Sequence, residues 1–461
     1  MLYAFSIFYI FGCMTTNTFT KAKKGLFLSI FALTAMQQIA SAQQLDKTKL
    51  DSYFQALETS NKFMGSVAIS QEGKVIYTHS TGMADVEKGL KSTDQSIYRI
   101  GSISKVFTAT LIFKAIDDKK LDLGQKLSVY FPTIKNADKI TIGQLLQHRS
   151  GIHNITDDAS YLTWYTKPQT EAAMLAFIVA GGSDFEPDSK ADYSNSNYIL
   201  LSYILQKVYK KPYAILLTEK ICKPLGLKST YFGTKTDPGK KEVYSYHYTG
   251  SWVKEPETDM SVPMGAGAIV STPADLTRFA TGLFTGKLVS AASLAQMKEM
   301  KDDYGKGLFE TPFEDKVGYG HSGGIDGFNS MIAYYPADGR AFSFIANGVN
   351  YETDKILKTM QNAAYGKPFE VPEFKSFAVS AAELTSFAGV YATKEIPVTV
   401  TIAVEGSILT AQATGQSAFP LEPIAKNTFQ FEQGGIVIEF NPEIKKMTLK
   451  QGGKAFDFTK E

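Results

Sequence analysis

Cysteine is almost absent from this sequence of 461 residues, which contains only Cys13 and Cys222. Cys13 lies in an amino-terminal segment that we predict below to be removed, so the mature chain would keep one cysteine and no internal disulfide. A chain of this length can bury a core large enough to fold without such crosslinks. We interpret Cys222 as a small core residue.

A strong excess of either charge is also missing. Lys and Arg number 48, Asp and Glu number 46, and the formal net charge is +2. Domains that bind nucleic acid carry clustered basic residues, so we predict no nucleic-acid partner. The sequence has no glycine-rich phosphate loop. His148 and His153 lie near Asp157 and Asp158, but Gly151 interrupts the spacing expected of metal ligands. We therefore predict no metal and no cofactor.

The apolar run of residues 25–33 is too short to cross a bilayer. It follows three lysines within residues 21–24 and precedes the small residues 40–42, which is the order of a secretory signal. We predict that residues 1–42 are a signal peptide, that the mature chain has no transmembrane span, and that it is secreted across the inner membrane to the periplasm or the extracellular space. An unusual apolar block, residues 2–12, favours a translation start at Met14 over a lipidation site at Cys13.

The remaining sequence divides into three parts. Residues 43–365 begin and end with pairs of strand-like runs and are mainly helical between them, which predicts an α+β domain with one antiparallel sheet and an inserted helical block. Residues 366–379 contain two prolines and are predicted to be a linker. Residues 380–461 contain short alternating runs separated by turns, typical of a small all-β sandwich or barrel.

Residues 320–324 read GHSGG and fit G-x-S-x-G, the nucleophile elbow of α/β-hydrolases. An elbow serine requires a helix directly behind it and a histidine later in the chain. Glycines and an aspartate break any helix after Ser322, and none of the five histidines follows it. We therefore reject Ser322 as the nucleophile.

A better candidate opens an apolar stretch. Ser102 and Lys105 form S-x-x-K at the start of a predicted helix, residues 106–116, that is apolar nearly all round and therefore buried. Residues three apart share one helix face, so the lysine amine can reach the serine hydroxyl. Burial lowers a lysine pKa and makes the amine a candidate base. The motif alone is weak, because an N-cap serine beside a lysine has the same pattern.

Two further motifs support Ser102 as the nucleophile: Tyr193-x-Asn195, and His321-Ser322-Gly323. In this order and separation, the three motifs resemble those of the penicillin-recognising serine hydrolases, which include class C β-lactamases, D-Ala-D-Ala carboxypeptidases, D-aminopeptidases and related esterases. The likeness covers about residues 50–365. The tail resembles the lipocalin-like barrel found at the carboxyl end of some of these enzymes.

The resemblance implies a role for each matching residue. Ser102 would be the nucleophile, and Lys105 and Tyr193 would share the proton transfers. The resemblance also implies an oxyanion hole formed by the backbone N–H groups of Ser102 and Gly324. The implied substrate-binding residues are Asn195, His321, Ser322, Gly323 and Gly324. The substrate would be a small molecule or a short peptide.

One departure bears on the substrate. Many members have Lys-Thr-Gly where this chain has His321-Ser322-Gly323. Histidine is mostly neutral at neutral pH, so the difference favours esters or neutral amides over substrates with a free carboxylate. We predict an exported esterase or D-amino-acid peptidase that works through an acyl-enzyme. A β-lactamase or a D-Ala-D-Ala carboxypeptidase stays an alternative, as does a penicillin-binding, wall-associated receptor with little turnover. The oligomeric state stays open.

Overall fold

The structure, a computed structural model, describes residues 45–374, 377–416 and 418–461. The predicted signal peptide lies outside these residues. Within the described ranges, no helix is both long enough and apolar enough to pass through a membrane. The α-helices are α1 (Lys47–Thr59), α2 (Ser104–Asp117), α3 (Ile142–Leu146), α4 (Tyr161–Trp164), α5 (Glu171–Gly181), α6 (Asn195–Tyr209), α7 (Tyr213–Leu217), α8 (Lys223–Leu225), α9 (Pro273–Phe284), α10 (Ala291–Met297), α11 (Thr353–Ala364) and α12 (Ala381–Phe387).

The β-strands fall into a first group, before residue 350, and a second group after residue 388. The first group is β1 (Phe63–Gln71), β2 (Lys74–Thr81), β3 (Met83–Asp85), β4 (Leu90–Lys91), β5 (Tyr98–Arg99), β6 (Tyr231–Phe232), β7 (Tyr246–Tyr248), β8 (Trp252–Lys254), β9 (Ile269–Ser271), β10 (Phe309–Glu310), β11 (Tyr319–Ile325), β12 (Phe328–Tyr335) and β13 (Arg340–Val349). The second group is β14 (Gly389–Ala392), β15 (Thr399–Glu405), β16 (Ile408–Ala413), β17 (Phe419–Ala425), β18 (Thr428–Phe431), β19 (Ile436–Asn441), β20 (Lys446–Gln451) and β21 (Lys454–Lys460).

The main sheet has six strands in the order β10-β11-β12-β13-β1-β2, and the paired strands are antiparallel. Strands β1 and β13 come from opposite ends of the region and pair at the centre. Both are buried along almost their whole length, because helices α1, α9 and α11 pack against the sheet. The predicted sheet with strands from both ends is confirmed.

The helical block is inserted between β5 and β10, and α2 lies at its centre. Eleven of the fourteen residues of α2 are buried, as the apolar sequence predicts. A 3₁₀ turn, Gly101–Ile103, leads directly into α2 and carries Ser102. Helix α6 packs beside α2, so the residues at the amino ends of these two helices lie close together.

Strands β14 to β21 form a closed barrel in which each strand pairs with the next and β14 pairs with β21. Alternate side chains point inward: Val400 and Ile402 are buried, whereas the alternating Thr399 and Thr401 are exposed. Apolar side chains fill the barrel and pack against Leu384 and Phe387 of α12. The predicted all-β tail is confirmed as a barrel.

The barrel contacts the region before the predicted linker through the buried ammonium group of Lys62. The side chain of Lys62, which is 4% exposed, pairs with Glu422 of β17 and lies 3.7 Å from a carboxylate oxygen of Glu432. Glu432 also accepts a hydrogen bond from Lys355 of α11 at 2.9 Å. Whether residues 43–365 and 380–461 fold separately stays a prediction.

Candidate active site

Ser102 and Lys105 meet as the S-x-x-K spacing predicts. The 3₁₀ turn and the first turn of α2 place the Lys105 ammonium nitrogen, Nζ, 3.0 Å from the hydroxyl oxygen of Ser102. The Lys105 side chain is fully buried. Burial holds the pKa of Lys105 well below its ordinary value, because a charged amine loses its hydration there.

The other contacts of Lys105 determine what a neutral amine does here. Nζ lies 2.8 Å from the side-chain oxygen of Asn195 and 2.9 Å from the backbone carbonyl oxygen of Ala266. Both oxygens only accept hydrogen bonds, so they take the two N–H groups of a neutral amine. The remaining lone pair of the amine then faces the Ser102 hydroxyl. The arrangement therefore suits proton transfer from Ser102 to Lys105.

Tyr193 lies beside this pair. Its ring lies over Lys105 Nζ at 4.8 Å, and its hydroxyl interacts with Ser102. Burial raises the pKa of the Tyr193 phenol, so the hydroxyl keeps its proton at neutral pH. The His148 ring stacks on Tyr193 with 4.4 Å between centroids, and His148 Nδ1 accepts a hydrogen bond from the backbone N–H of Ser194 at 3.1 Å. His148 thus fixes the loop that carries Tyr193.

His321 points from β11 toward the same buried region. Burial, and secondly the nearby Lys105, lower the pKa of His321 to about 3. The imidazole is therefore neutral at any ordinary pH. Its Nδ1 donates to the carbonyl of Ser322, which leaves Nε2 as an acceptor. The edge of Phe309 packs against the ring at 4.7 Å.

Strand β11 runs very close to the turn that carries Ser102. A Cβ atom on Gly323 would lie 2.2 Å from the carbonyl oxygen of Ile100 and 3.1 Å from the backbone nitrogen of Ser102. A Cβ on Gly101 would lie 2.9 Å from the backbone nitrogen of Gly324. Only glycine fits at these two positions, and their absent side chains bring the amide groups of Ser102 and Gly324 to the same narrow gap.

A cavity of about 330 Å³ opens beside Ser102. Asn195 and Gly324, two of the residues predicted to bind substrate, line it, and so do apolar side chains from α4, α6, β11 and neighbouring loops. These apolar residues are Ile155, Tyr161, Leu162, Ile199, Val262 and Ile325. The volume lies at the small end of ligand sites and suits a small acyl group.

Ser322 does not line the cavity beside Ser102. Its side chain is exposed and lines a different cavity of about 320 Å³, together with Asn329 and residues of α11. Successive strand residues face opposite sides of a sheet, so His321 faces the buried lysine and Ser322 faces away. The structure brings Ser102, Lys105, Tyr193, Asn195 and His321 together, and it does not bring the Ser322 side chain to them.

Sequence reasoning missed three contributors to the site. The carbonyl of Ala266 is a backbone group, and no side-chain motif predicts it. Asn154 accepts hydrogen bonds from the backbone and side-chain N–H groups of Asn195 at 2.9 and 3.2 Å, from a distant loop. Glu255 lines the cavity directly after the β7–β8 hairpin. Ala266 and His148 lie in two stretches that resemble the family, residues 265–272 and 145–152, but sequence reasoning gave neither residue a role in the site.

Comparisons with known proteins show the family of the chain. Residues 50–367 match the family described as Beta-lactamase. Penicillin-binding protein 4* of Bacillus subtilis (strain 168) is 25% identical over 435 residues, which are 86% of this chain and 94% of that protein. Teichoic acid D-alanine hydrolase of Staphylococcus aureus is 28% identical over 303 residues, which are 64% of this chain and 73% of that protein.

Among solved structures, D-amino acid amidase from Ochrobactrum anthropi SV3, in complex with L-phenylalanine, superposes with a TM-score of 0.60 at 26% sequence identity, covering 69% of this chain and 96% of the amidase. The family match spans well over half of the chain and contains all three motifs. The chain therefore belongs to the beta-lactamase family of serine hydrolases, enzymes that hydrolyse amides and esters.

Proposed function

We propose that this protein is an exported hydrolase that cleaves esters or amides of small acyl groups, with Ser102 as its nucleophile. The observation that carries the proposal is the buried Lys105 amine, 3.0 Å from the Ser102 hydroxyl oxygen, with two carbonyl oxygens occupying its N–H groups. A lysine in this setting is neutral and basic enough to accept a proton.

Acylation begins when Ser102 Oγ bonds to the substrate carbonyl carbon and its proton passes to the Lys105 lone pair. The carbonyl electrons move to the oxygen, and the resulting oxyanion is bound by the backbone N–H groups of Ser102 and Gly324. The bond to the leaving group then breaks. The leaving oxygen or nitrogen takes the proton from Lys105 through the Tyr193 hydroxyl, which leaves Lys105 neutral again.

Deacylation reverses these transfers with water. The water oxygen bonds to the acyl carbon and gives a proton to Lys105 through Tyr193. The bond between Ser102 Oγ and the acyl carbon then breaks, Ser102 regains a proton from Lys105, and the acid leaves. The raised pKa of Tyr193 suits a hydroxyl that passes a proton on, because the phenol does not ionise by itself at neutral pH.

The substrate preference rests on His321 and on the relatives. A neutral imidazole offers a substrate carboxylate no charge, which favours substrates without one. The names of two similar proteins, a D-amino acid amidase and a teichoic acid D-alanine hydrolase, both refer to D-amino acid derivatives. We therefore favour D-aminoacyl amides or esters over cephalosporins and D-Ala-D-Ala peptides.

Covalent labelling tests the nucleophile. A fluorophosphonate probe should label the wild type and the Ser322→Ala variant at Ser102, and should not label Ser102→Ala. Labelling at Ser322 would overturn the assignment. Turnover is then measured on p-nitrophenyl esters, D-amino acid anilides, a D-Ala-D-Ala peptide and a chromogenic cephalosporin. A receptor would be acylated by such compounds but would release product very slowly.

A further inference from the structure

Glu255 is one of two carboxylate residues that line the cavity beside Ser102. It follows β8 directly, and its backbone N–H donates to the carbonyl of Ser245 at 2.9 Å. Its side chain packs against Gly327, where a Cβ atom would lie 3.1 Å from Glu255 Cγ. The carboxylate is therefore held at the cavity wall, with 27% of the side chain exposed.

The other carboxylate in the cavity wall, that of Asp326, is already paired with groups of the protein. Asp326 is 1% exposed, and its oxygens accept from Arg99 at 2.9 Å and from the backbone and hydroxyl groups of Thr258 at 2.9 and 2.6 Å. Arg99 also pairs with Glu257 at 2.7 Å. The single guanidinium thus serves two carboxylates and leaves no positive charge for Glu255.

Among the described residues, the side chain of Glu255 pairs with His247. His247 Nδ1 lies 2.7 Å from one carboxylate oxygen, Oε1, and the His247 side chain is 47% exposed. The described cavity wall contains no lysine or arginine. Glu255 also lines a second cavity together with His247, and in the wall of the Ser102 cavity it is the carboxylate that has no lysine or arginine partner among the described residues.

We propose that Glu255 binds the ammonium group of the substrate and so selects acyl donors that carry a free amino group next to the reacting carbonyl. This inference rests on the proposed function, because it assigns a specificity-determining residue to the Ser102 site. A carboxylate and an ammonium form a charge-assisted hydrogen bond that is stronger in a partly desolvated cavity than in water. Such a bond holds the carbonyl of a small aminoacyl group near Ser102.

The test uses two substrates with one leaving group. D-alanine 4-nitroanilide and propionic acid 4-nitroanilide differ only in the amino group. With the full chain at pH 7, Glu255→Gln should lower kcat/KM for the D-alanine compound about 10- to 150-fold, the range expected for one charge-assisted hydrogen bond. It should leave the propionyl compound within about twofold. Glu405→Gln, a barrel carboxylate that does not line the Ser102 cavity, is the matched control and should change neither value.

Each outcome has a distinct meaning. Equal losses on both substrates, or no loss on either, would refute the role of Glu255 while leaving the Ser102 chemistry intact. If neither substrate shows hydrolysis that depends on Ser102, the proposed function itself fails. Fluorophosphonate labelling at the wild-type rate shows that the variant is folded. If Glu255→Gln does not fold, the proposal is tested on the wild type with D-alanine 4-nitroanilide and its N-acetyl derivative, which has no free amino group. Equal kcat/KM values for these two compounds would overturn the proposal.

Discussion

Replacing Asn195 with Asp tests whether Lys105 is the base. The substitution keeps the side-chain shape but places a carboxylate oxygen where the amide oxygen now lies, 2.8 Å from Lys105 Nζ. The carboxylate stabilises the ammonium form and raises the pKa of Lys105, which burial alone holds low. Because only the neutral amine accepts a proton from Ser102, activity at neutral pH should fall.

The size of the effect follows from the change in hydrogen bond. A charge-assisted bond contributes about 1–2 kcal/mol more than a neutral one, which corresponds to about 0.7–1.5 pKa units. The rising limb of the kcat/KM profile against pH should move upward by that amount. On this limb the variant should be about 5- to 30-fold slower than wild type, and above both pKa values the two should converge.

The assay is the pH profile of kcat/KM on one p-nitroanilide, with thermal unfolding as a check on folding. Asn195→Ala is the control: it removes the oxygen without adding charge, so it should slow the enzyme through the lost contact but should not move the limb upward. If the limb of Asn195→Asp stays at its wild-type position, Lys105 is not the group that must lose a proton.

Three further predictions concern other parts of the chain. Tyr193→Phe should lower kcat by about 10²–10⁴-fold, the usual contribution of a proton-transfer group, and near wild-type turnover would remove it from the mechanism. His321→Lys should improve kcat/KM on a cephalosporin relative to an ester by about ten- to thirtyfold; an unchanged ratio means that His321 does not set the substrate class. Proteolysis should cut within residues 366–380 and leave a folded 43–365 fragment that still labels at Ser102. That fragment should melt below the full chain, because Lys62 loses both carboxylates, and Lys62→Met should recover part of the difference; a fragment that does not fold would refute its independence.

The fold was predictable where patterns are local. The hairpin of β1 and β2 and the strands β12 and β13 follow strand-like runs separated by clear turns. Two barrel strands, β14 and β17, were not predicted from the sequence. Strand β17 contains Pro420 and Pro423, residues that argue against a strand and are tolerated here beside an irregularity in its pairing with β18. Closure of the barrel depends on β14 and β21, which come from opposite ends of the domain, so the sequence could not separate a barrel from a sandwich.

In the site, too, local contacts were predictable from the sequence and long-range contacts were not. Ser102 and Lys105 are one helical turn apart, so the local spacing alone predicts their contact. The acceptors that orient the amine, Asn195 and Ala266, come from distant segments that meet only after folding. The face of β11 on which Ser322 lies also depended on the register of the strand, because a shift of one residue would have turned this side chain inward.

The two neighbouring glycines of β11 differ in a way that matters for spectroscopy. Gly323 has no room for a side chain, but a Cβ on Gly324 would meet no atom within 4 Å, although the backbone of Gly324 lines the Ser102 cavity. Cys222 is buried, and burial raises the pKa of its thiol to about 12, so it reacts poorly with thiol reagents. A cysteine placed at 324 would therefore carry a fluorophore or spin label almost selectively, and the label would report acyl-enzyme formation in real time from the rim of the site.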